Sequence, residues 1–142
     1  MKSKRIAFLG GGNMAEAILG GMLAGDLVLA GNVTAADVSA ERRDWLQKEY
    51  GIDVTADNAE AVRGADVIVL AKSSLADSMA ARLAGKLKAG LAANVIELPD
   101  VSIGFRVKRS IFTGKAFAFT ELTAEKKILA IKKNTITPEE TE

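Results

Sequence analysis

The sequence of 142 residues contains no cysteine and no histidine. Without cysteine there is no disulfide to staple the fold and no thiolate to act as a nucleophile. Zinc sites built from cysteine and histidine are excluded, together with Ser-His and Cys-His nucleophilic systems. The sequence therefore predicts no metal site. The lack of disulfides fits a reducing compartment such as the cytoplasm.

The sequence also has little net charge and no long apolar run. The formal net charge is +1, so no overall field favours nucleic acid or a membrane surface. No apolar run is long enough to cross a bilayer, and the run behind the basic N-terminus ends at Gly10, which is too short for a signal segment. Since 49% of the residues are hydrophobic, wholesale disorder is excluded and a real core is expected.

The most informative stretch joins a strand pattern to a helix pattern through glycines. An apolar run, Ile6–Leu9, meets three glycines, and an Ala/Leu/Met-rich helical pattern begins at Asn13. This is the context in which a G-x-G-x-x-A match predicts dinucleotide binding. Gly10 would form the tight turn, Gly12 would admit a pyrophosphate, and Ala15 would let the helix pack closely. The alternative is a buried strand and a glycine turn without a ligand.

Strand and helix patterns alternate along the first two thirds of the chain. This rhythm predicts an α/β fold, a Rossmann-type doubly wound parallel sheet with right-handed crossovers. Ser39 and Gly51 are predicted caps of the second helix, and Asp57 with Glu60 is similar to a capping box. The predicted strands are Ile6–Leu9, Val33–Ala36, Asp53–Thr55, Val67–Leu70 and Ala92–Ile96. The predicted helices are Asn13–Ala24, Ala40–Tyr50, a short one ending at Arg63, and one beginning at Ser74 and fading over 86–90.

The composition changes near Glu97, where alanine becomes rare and phenylalanine frequent. We therefore predict a dinucleotide-binding domain over 1–96 and an atypical C-terminal extension over 97–142. Short alternating runs around Thr113-Gly114 predict a hairpin. Thr123 would cap a helix over 124–132, although Ile128–Ile131 is also typical of a strand. The polar end from residue 134 onward is predicted to be frayed.

The run Leu-Gly-Gly-Gly-Asn-Met-Ala-Glu-Ala-Ile at 9–18 resembles the opening of the pyrroline-5-carboxylate reductases. The likeness continues through 40–43, 50–52, 55–60 and 64–71. This resemblance implies a Rossmann domain that binds NAD or NADP. It also implies hydride transfer from the nicotinamide to a cyclic imine, which forms proline. Such a transfer requires no metal and no covalent nucleophile, because the cofactor carries the chemistry.

Two departures separate this chain from the family. Its members usually read Ala-Val-Lys-Pro after the fourth strand, whereas this sequence reads Ala-Lys-Ser-Ser at 71–74. Nothing after Glu97 resembles the family's helical second domain, which forms the dimer and much of the imine site. The changed ending is either a compact substitute or the result of a reading-frame change in an ancestral reductase gene.

Several side chains are candidates for contacts with the dinucleotide. Asp37 ends the second strand, where a carboxylate accepts hydrogen bonds from ribose hydroxyls and favours NAD; alternatively it is a loop acid. Asn58 matches a family asparagine near the adenine, or is simply a first-turn helix residue. Ala71 and Lys72 follow the fourth strand, and a solvated lysine is the alternative for Lys72. The predicted cofactor-binding residues are Leu9, Gly10, Gly11, Gly12, Asn13, Met14, Ala15, Asp37, Asn58, Ala71 and Lys72. No catalytic residue is identified.

Two functional hypotheses remain open at the level of sequence. The first is an NAD(P)-dependent oxidoreductase of the pyrroline-5-carboxylate reductase type, or its cofactor-binding half. The second is a non-catalytic nucleotide-binding or partner-binding module, or the remnant of a disrupted reductase. A small dinucleotide is the predicted ligand. The lysines and phenylalanines of 103–133 lack any nucleic-acid-binding signature, so nucleic acid is not predicted, and self-association does not follow from the sequence.

Overall fold

The computed structural model describes residues 3–10, 12–71, 74–97, 99–100, 104–111 and 116–131. Helices and strands alternate through the first 95 residues, and strands follow. The helices are α1 (Asn13–Ala24), α2 (Ala40–Tyr50), α3 (Asn58–Val62) and α4 (Ser74–Leu87), with a 3₁₀ turn at Ala30–Asn32. The strands are β1 (Ile6–Leu9), β2 (Val33–Ala36), β3 (Asp53–Thr55), β4 (Val67–Ala71), β5 (Gly90–Val95), β6 (Arg106–Ile111), β7 (Ala116–Glu121) and β8 (Lys127–Ile131).

All eight strands form one sheet in the order β3-β2-β1-β4-β8-β5-β6-β7. The first six strands in this order run parallel, and β6 and β7 continue the sheet antiparallel. Helical crossovers connect β1 to β2, β2 to β3, β3 to β4 and β4 to β5. The predicted Rossmann-type α/β fold is therefore confirmed.

Both faces of the parallel part of the sheet are covered by helices, and successive side chains of a strand point alternately into the two resulting cores. One core packs α1 and α2 against strand residues such as Phe8, Val69 and Leu129. The other core packs α3 and α4 against residues such as Ile68 and Ile128. A parallel sheet buried on both faces requires almost uninterrupted apolar strands, which explains the composition of β4 and β8.

Side-chain and glycine caps set the ends of α2. The Ser39 hydroxyl accepts a hydrogen bond from the Arg42 backbone N–H at 3.2 Å, and Gly51 closes the helix at a φ of +70°. Both capping predictions are confirmed. The Ser39 cap therefore fixes where α2 begins after the loop that follows β2.

The capping box predicted at Asp57 and Glu60 is only half formed. The Asp57 carboxylate accepts from the Ala59 N–H at 2.9 Å, as an N-cap residue does. The Glu60 carboxylate, however, accepts from the Thr55 hydroxyl at 3.1 Å, and that hydroxyl in turn accepts from the Asp57 N–H at 3.2 Å. The Thr55 hydroxyl thus takes the place of a direct hydrogen bond from the Asp57 N–H to the Glu60 carboxylate, because it lies between these two groups.

The predicted bounds of α1, α2, β1, β2 and β3 agree with the structure. Smaller differences occur in the third helix and in the fourth and fifth strands. The third helix ends at Val62 rather than Arg63, the fourth strand extends to Ala71, and the fifth strand is Gly90–Val95 rather than Ala92–Ile96.

The extension after Glu97 contains the predicted hairpin but not the predicted helix. The strands β6 and β7 pair antiparallel from Arg106↔Glu121 to Ile111↔Ala116. The helix predicted over 124–132 is wrong, because Lys127–Ile131 forms the strand β8 between β4 and β5. The alternative interpretation of Ile128–Ile131 as a strand is confirmed, and all four residues are buried.

The Thr113-Gly114 turn and the predicted frayed end both lie outside the described residues. The domain boundary near residue 96 stays a prediction, although β8 belongs to the same sheet as β1 to β5. In the described part of the chain, no helix combines the length and apolar character that a membrane span needs.

Candidate functional site

Four strand ends bring most of the predicted site residues to one edge of the sheet. The register pairs Leu9 with both Ala36 and Leu70, and pairs Ala36 with Thr55. These residues end, or nearly end, parallel strands, so the segments that follow them emerge side by side. This carboxyl edge is where open α/β sheets bind ligands.

Gly10 and Gly12 shape the turn from β1 into α1 in different ways. Gly10 has a φ of +96°, a conformation that a residue with a Cβ rarely adopts, and its N–H donates to the Ala36 carbonyl at 2.8 Å. Gly12 is the N-cap of α1 and has no side chain to cap the helix. Among the described residues, none lies within 4 Å of a Cβ added at Gly12, so they leave the space above it open. The turn therefore leaves room for a ligand at the helix N-terminus.

The first turn of α1 presents backbone N–H groups toward that open space. Such groups have no intrahelical partner, and the helix dipole adds a partial positive charge. Together they favour an anion such as a pyrophosphate. Asn13 and Met14 lie in this turn by their backbone, whereas Gly11 lies outside the described residues.

A cleft of about 80 Å³ lies beside the glycine turn, between α1 and the ends of β1 and β4. Among the described residues, its lining consists of apolar side chains and glycine, without a titratable group. The lining residues are Phe8, Leu9, Gly10, Gly12, Ala15, Ile18, Val69 and Leu70. An open glycine cradle beside an apolar cleft fits the phosphates and a flat ring of a dinucleotide.

Asp37 lies directly after β2, one strand away from the glycine turn. Its Oδ1 accepts from the Ser39 N–H at 2.8 Å, and its carbonyl accepts from the Arg43 guanidinium at 2.7 Å. Its own N–H donates to the Thr55 carbonyl at 3.0 Å. These bonds hold the loop in one conformation. Because a carboxylate accepts several hydrogen bonds, they do not prevent a contact with ribose hydroxyls.

Three predicted cofactor-binding residues remain, and the structure describes two of them. Asn58 is the exposed first residue of α3, three positions after β3 ends, so it lies at the same edge of the sheet. Ala71 ends β4 and pairs with Ile131 by its backbone. Lys72 lies outside the described residues. The roles of all these residues remain predictions.

A cluster that the sequence reasoning missed connects α1 to α2 at this edge. Glu16 in the first turn of α1 forms an ion pair with Arg42 at 2.8 Å, and the Arg42 guanidinium lies 4.6 Å from the centre of the Trp45 ring. Tyr50 packs edge-to-face against Trp45 with ring centres 5.9 Å apart. The contacts fix α2, and with it the Asp37 loop, relative to the glycine turn.

Partial burial raises the pKa of Tyr50 above its usual value, and the negative charges of Glu16 and Glu49 raise this pKa further. Arg42 acts in the opposite direction as a weaker influence. The phenol therefore stays protonated and is able to donate a hydrogen bond to Glu16. Glu16 in the first turn of α1 and Arg42 in the first turn of α2 were the available signal in the sequence, but their pairing depends on how the helices pack.

A cavity of about 400 Å³ is lined in part by Arg5, Asn32 and Asp53. Arg5 and Asn32 precede β1 and β2, so this cavity extends toward the amino edge, away from the glycine turn. The size of this cavity alone does not indicate a catalytic or ligand-binding site. Within the described ranges, no group of three or more aspartate, glutamate, histidine or cysteine side chains is arranged to hold a metal ion.

Comparison with known proteins agrees with this site. Residues 5–96 match the model of a family described as NADP oxidoreductase, coenzyme F420-dependent. The pyrroline-5-carboxylate reductase of Pseudomonas aeruginosa is 49% identical over 70 residues, which are 49% of this chain and 25% of that protein. The reductase of the same name from Synechocystis is 35% identical over 107 residues, which are 72% of this chain and 40% of that protein.

A similar fold occurs in a solved structure of a pyrroline-5-carboxylate reductase from Coxiella burnetii. The TM-score is 0.53 at 26% sequence identity, and the superposition covers 64% of this chain and 37% of that one. The chain thus spans a quarter to two fifths of the length of these relatives. The residues that match the family model include the glycine turn and the candidate site from β1 to β4.

Proposed function

The chain belongs to the family of NADP oxidoreductases described as coenzyme F420-dependent, and on that premise we propose that its carboxyl edge binds NAD or NADP. The observation that carries the proposal is the turn at Gly10 and Gly12, which leaves open space in front of the α1 N-terminus. A pyrophosphate would accept hydrogen bonds from the backbone N–H groups there. Asp37 would hold the adenosine ribose, and Asn58 would lie toward the adenine.

We further propose that the chain is the cofactor-binding part of a reductase of the pyrroline-5-carboxylate type. When bound, the nicotinamide supplies a hydride for reduction of a cyclic imine. The residues of the cleft would exclude water from one side of the ring, because Phe8, Ile18 and Val69 are apolar. The similarity to reductases of that name supports this assignment.

The first experiment tests binding at the glycine turn. Gly12→Val would place a branched side chain in the open space that the phosphates require, so we expect it to abolish NADH or NADPH binding in calorimetric titration. Gly31→Val is the matched control, because Gly31 also has no neighbour within 4 Å of an added Cβ but lies at the other edge. Folding of each variant is checked by circular dichroism. Undetectable binding by the unmodified folded chain at millimolar cofactor would contradict the proposal.

The second experiment concerns the choice between the two cofactors. The Asp37 carboxylate would repel a 2′-phosphate, and Arg42 is already paired with Glu16, so we expect NADH to bind more tightly than NADPH. Asp37→Asn retains a hydrogen-bond acceptor for the Ser39 N–H but removes the charge, which isolates the repulsion. Asp37→Ser shortens the side chain as well. Both variants should shift preference toward NADPH, whereas a strong preference for NADPH in the unmodified chain would refute the role of Asp37.

Catalysis by this chain alone is expected to be poor. Hydride transfer requires the imine carbon about 3–3.5 Å from the nicotinamide in a fixed orientation. Within the described residues the cleft lining has no titratable side chain to supply a proton. We expect steady-state oxidation of NADH or NADPH with pyrroline-5-carboxylate to be far below about 1 per second, and turnover in the ordinary range of about 1–1000 per second would contradict this.

A non-catalytic nucleotide-binding module is the second candidate, favoured by the same apolar lining. Binding without turnover is expected of both candidates, and the absence of binding would contradict each of them. The cytoplasm stays the proposed location, where both dinucleotides are available.

A further inference from the structure

The strand β7 forms an open edge of the sheet. Among the described residues no strand lies beyond it, and its sequence Ala-Phe-Ala-Phe-Thr-Glu contains neither proline nor lysine. Edge strands of natural proteins are commonly protected by such residues, by bulges or by being very short. The opposite edge strand, β3, has only three residues. β7 is therefore the edge of this sheet that is able to pair with another strand.

The hydrogen bonds of β6 show which of its residues face β7. Lys108 accepts from the Ile96 N–H at 3.0 Å, and Arg106 exchanges two hydrogen bonds with Asp100 at 2.8 and 3.0 Å. The even-numbered residues of β6 thus bond toward the β5 side. Because bonding directions alternate along an antiparallel strand, the odd-numbered residues of β6 bond toward β7.

The same alternation determines which N–H and C=O groups of β7 point away from β6. The odd-numbered residues of β6 pair with positions 116, 118 and 120, and the Leu122 N–H donates to the Phe105 carbonyl at 2.8 Å in the same pattern. The N–H and C=O groups of Phe117, Phe119 and Glu121 therefore point away from β6, toward the open edge. These three residues form the free ladder that a new strand would bind.

The side chains of β7 form an aromatic patch next to this ladder. Phe117 and Phe119 are 58% and 65% exposed, a high fraction for phenylalanine. The Lys108 ammonium lies 4.8 Å from the centre of the Phe117 ring, and the Arg106 guanidinium lies 5.5 Å from that of Phe119. Contiguous exposed apolar surface bordered by charge is typical of an interaction site.

We propose that β7 pairs with β7 of a second copy of this chain, as antiparallel strands centred on Phe119. In this register Phe119 faces Phe119 of the second copy, and Phe117 faces Glu121 of the second copy. Each residue of β7 whose N–H and C=O groups point away from β6 then pairs with such a residue of the second copy. The two eight-stranded sheets become one continuous sheet around a two-fold axis.

Charge and symmetry favour a second copy as the occupant. The exposed Glu121 of one copy would lie beside Phe117 of the other, whose ring is covered by the Lys108 ammonium. Lys108 already forms an ion pair with Glu97 at 3.3 Å, so Glu121 of the second copy would join this pair as a second anion. Aromatic side chains that face one another across strands stabilise the pairing. A two-fold contact uses the same edge of both copies, so it closes at a dimer instead of extending into a fibre.

Sedimentation and cross-linking of the full chain test the proposal. We expect the unmodified chain to sediment at twice 14.9 kDa in a concentration-dependent manner. Phe119→Lys places two like charges at the axis and should weaken dimerisation at least about tenfold. Leu29→Lys is the control, since Leu29 is 50% exposed and distant in sequence from the hairpin. A monomer at all concentrations up to about 1 mM would overturn the proposal.

The absence of cysteine makes the register directly testable. Paired residues in the proposed register have Cα atoms about 5.5 Å apart, within the range of a disulfide, so Phe119→Cys should form a covalent dimer on oxidation. Ala118→Cys should not, because Ala118 would face Thr120 of the second copy. Cross-linking of Ala118→Cys alone, or of neither variant in a dimeric chain, would refute this pairing.

Discussion

At the scale of single residues, two glycines of one turn have different physical requirements. Gly10 needs its missing Cβ for the backbone, since its φ is +96°, whereas Gly12 has an ordinary φ of −77° and open space above it. The G-x-G-x-x-A spacing predicted both positions correctly as the turn after β1. Which glycine the backbone conformation requires and which one leaves room beside the helix depends on dihedral angles that the spacing does not contain.

This difference predicts that alanine substitutions at the two positions change the stability by unequal amounts. Gly10→Ala should lower the free energy of unfolding by about 1–3 kcal/mol, because alanine is strained at positive φ. Gly12→Ala should change it by less than about 0.5 kcal/mol. Equilibrium denaturation in urea measures both values. Equal effects of the two substitutions would contradict the assignment.

Tyr50 gives the fold a dependence on alkaline pH. Partial burial, followed by the charges of Glu16 and Glu49, raises its pKa in the folded state. The folded chain therefore holds the phenol proton more tightly than the unfolded chain. The resulting stability is fully present below the unfolded value near pH 10 and is lost as the pH rises through the folded pKa.

We expect Tyr50→Phe to remove this part of the stability loss above pH 10, while the contribution of the lysines remains in both proteins. Because Tyr50 is the single tyrosine, its titration is also visible directly in the tyrosinate absorbance. Glu16→Gln should bring the midpoint back toward the usual value. A midpoint in the folded chain equal to that in denaturant would contradict the raised pKa.

At the scale of secondary-structure elements, β8 shows where local patterns fail. Ile128–Ile131 is a short apolar run, and such a run suits either a buried strand or a buried segment of helix. Thr123 favoured the helix as a potential N-cap, but the structure places the run between β4 and β5, where both faces are buried. Lys126 and Lys127 support this position by contacts at the amino edge, where the Lys127 N–H donates to the Asp66 carbonyl at 2.8 Å.

The position of β8 predicts that the extension contributes to the stability of the whole sheet. Leu129 is fully buried in the core that also contains Phe8 and Val69. Leu129→Ala should therefore lower the free energy of unfolding by about 2–5 kcal/mol. The control is Leu91→Ala in β5, where the leucine is 36% exposed and less should be lost. Equal, small losses measured in urea would show that β8 is not part of the core.

At the scale of the whole molecule, the sequence predicted the Rossmann-type architecture but not the order of the strands. Alternating strand and helix patterns imply parallel strands with crossovers, because a parallel connection must return across the sheet. The insertion of β8 between β4 and β5 joins residues about sixty positions apart in the chain, as in the pairing of Ile68 with Ile128. No local pattern contains that information.

The sequence by itself determined the elements whose ends carry their own signals. The glycine turn after Leu9, the Ser39 cap and the Gly51 end are local features, since hydrogen bonds and dihedral angles within a few residues create them. Only the tertiary structure decided which groups meet at the site and which edge stays open. The Glu16–Arg42 pair, the bonds that hold Asp37 and the outward ladder of β7 arise from packing between distant segments, which depends on the whole fold.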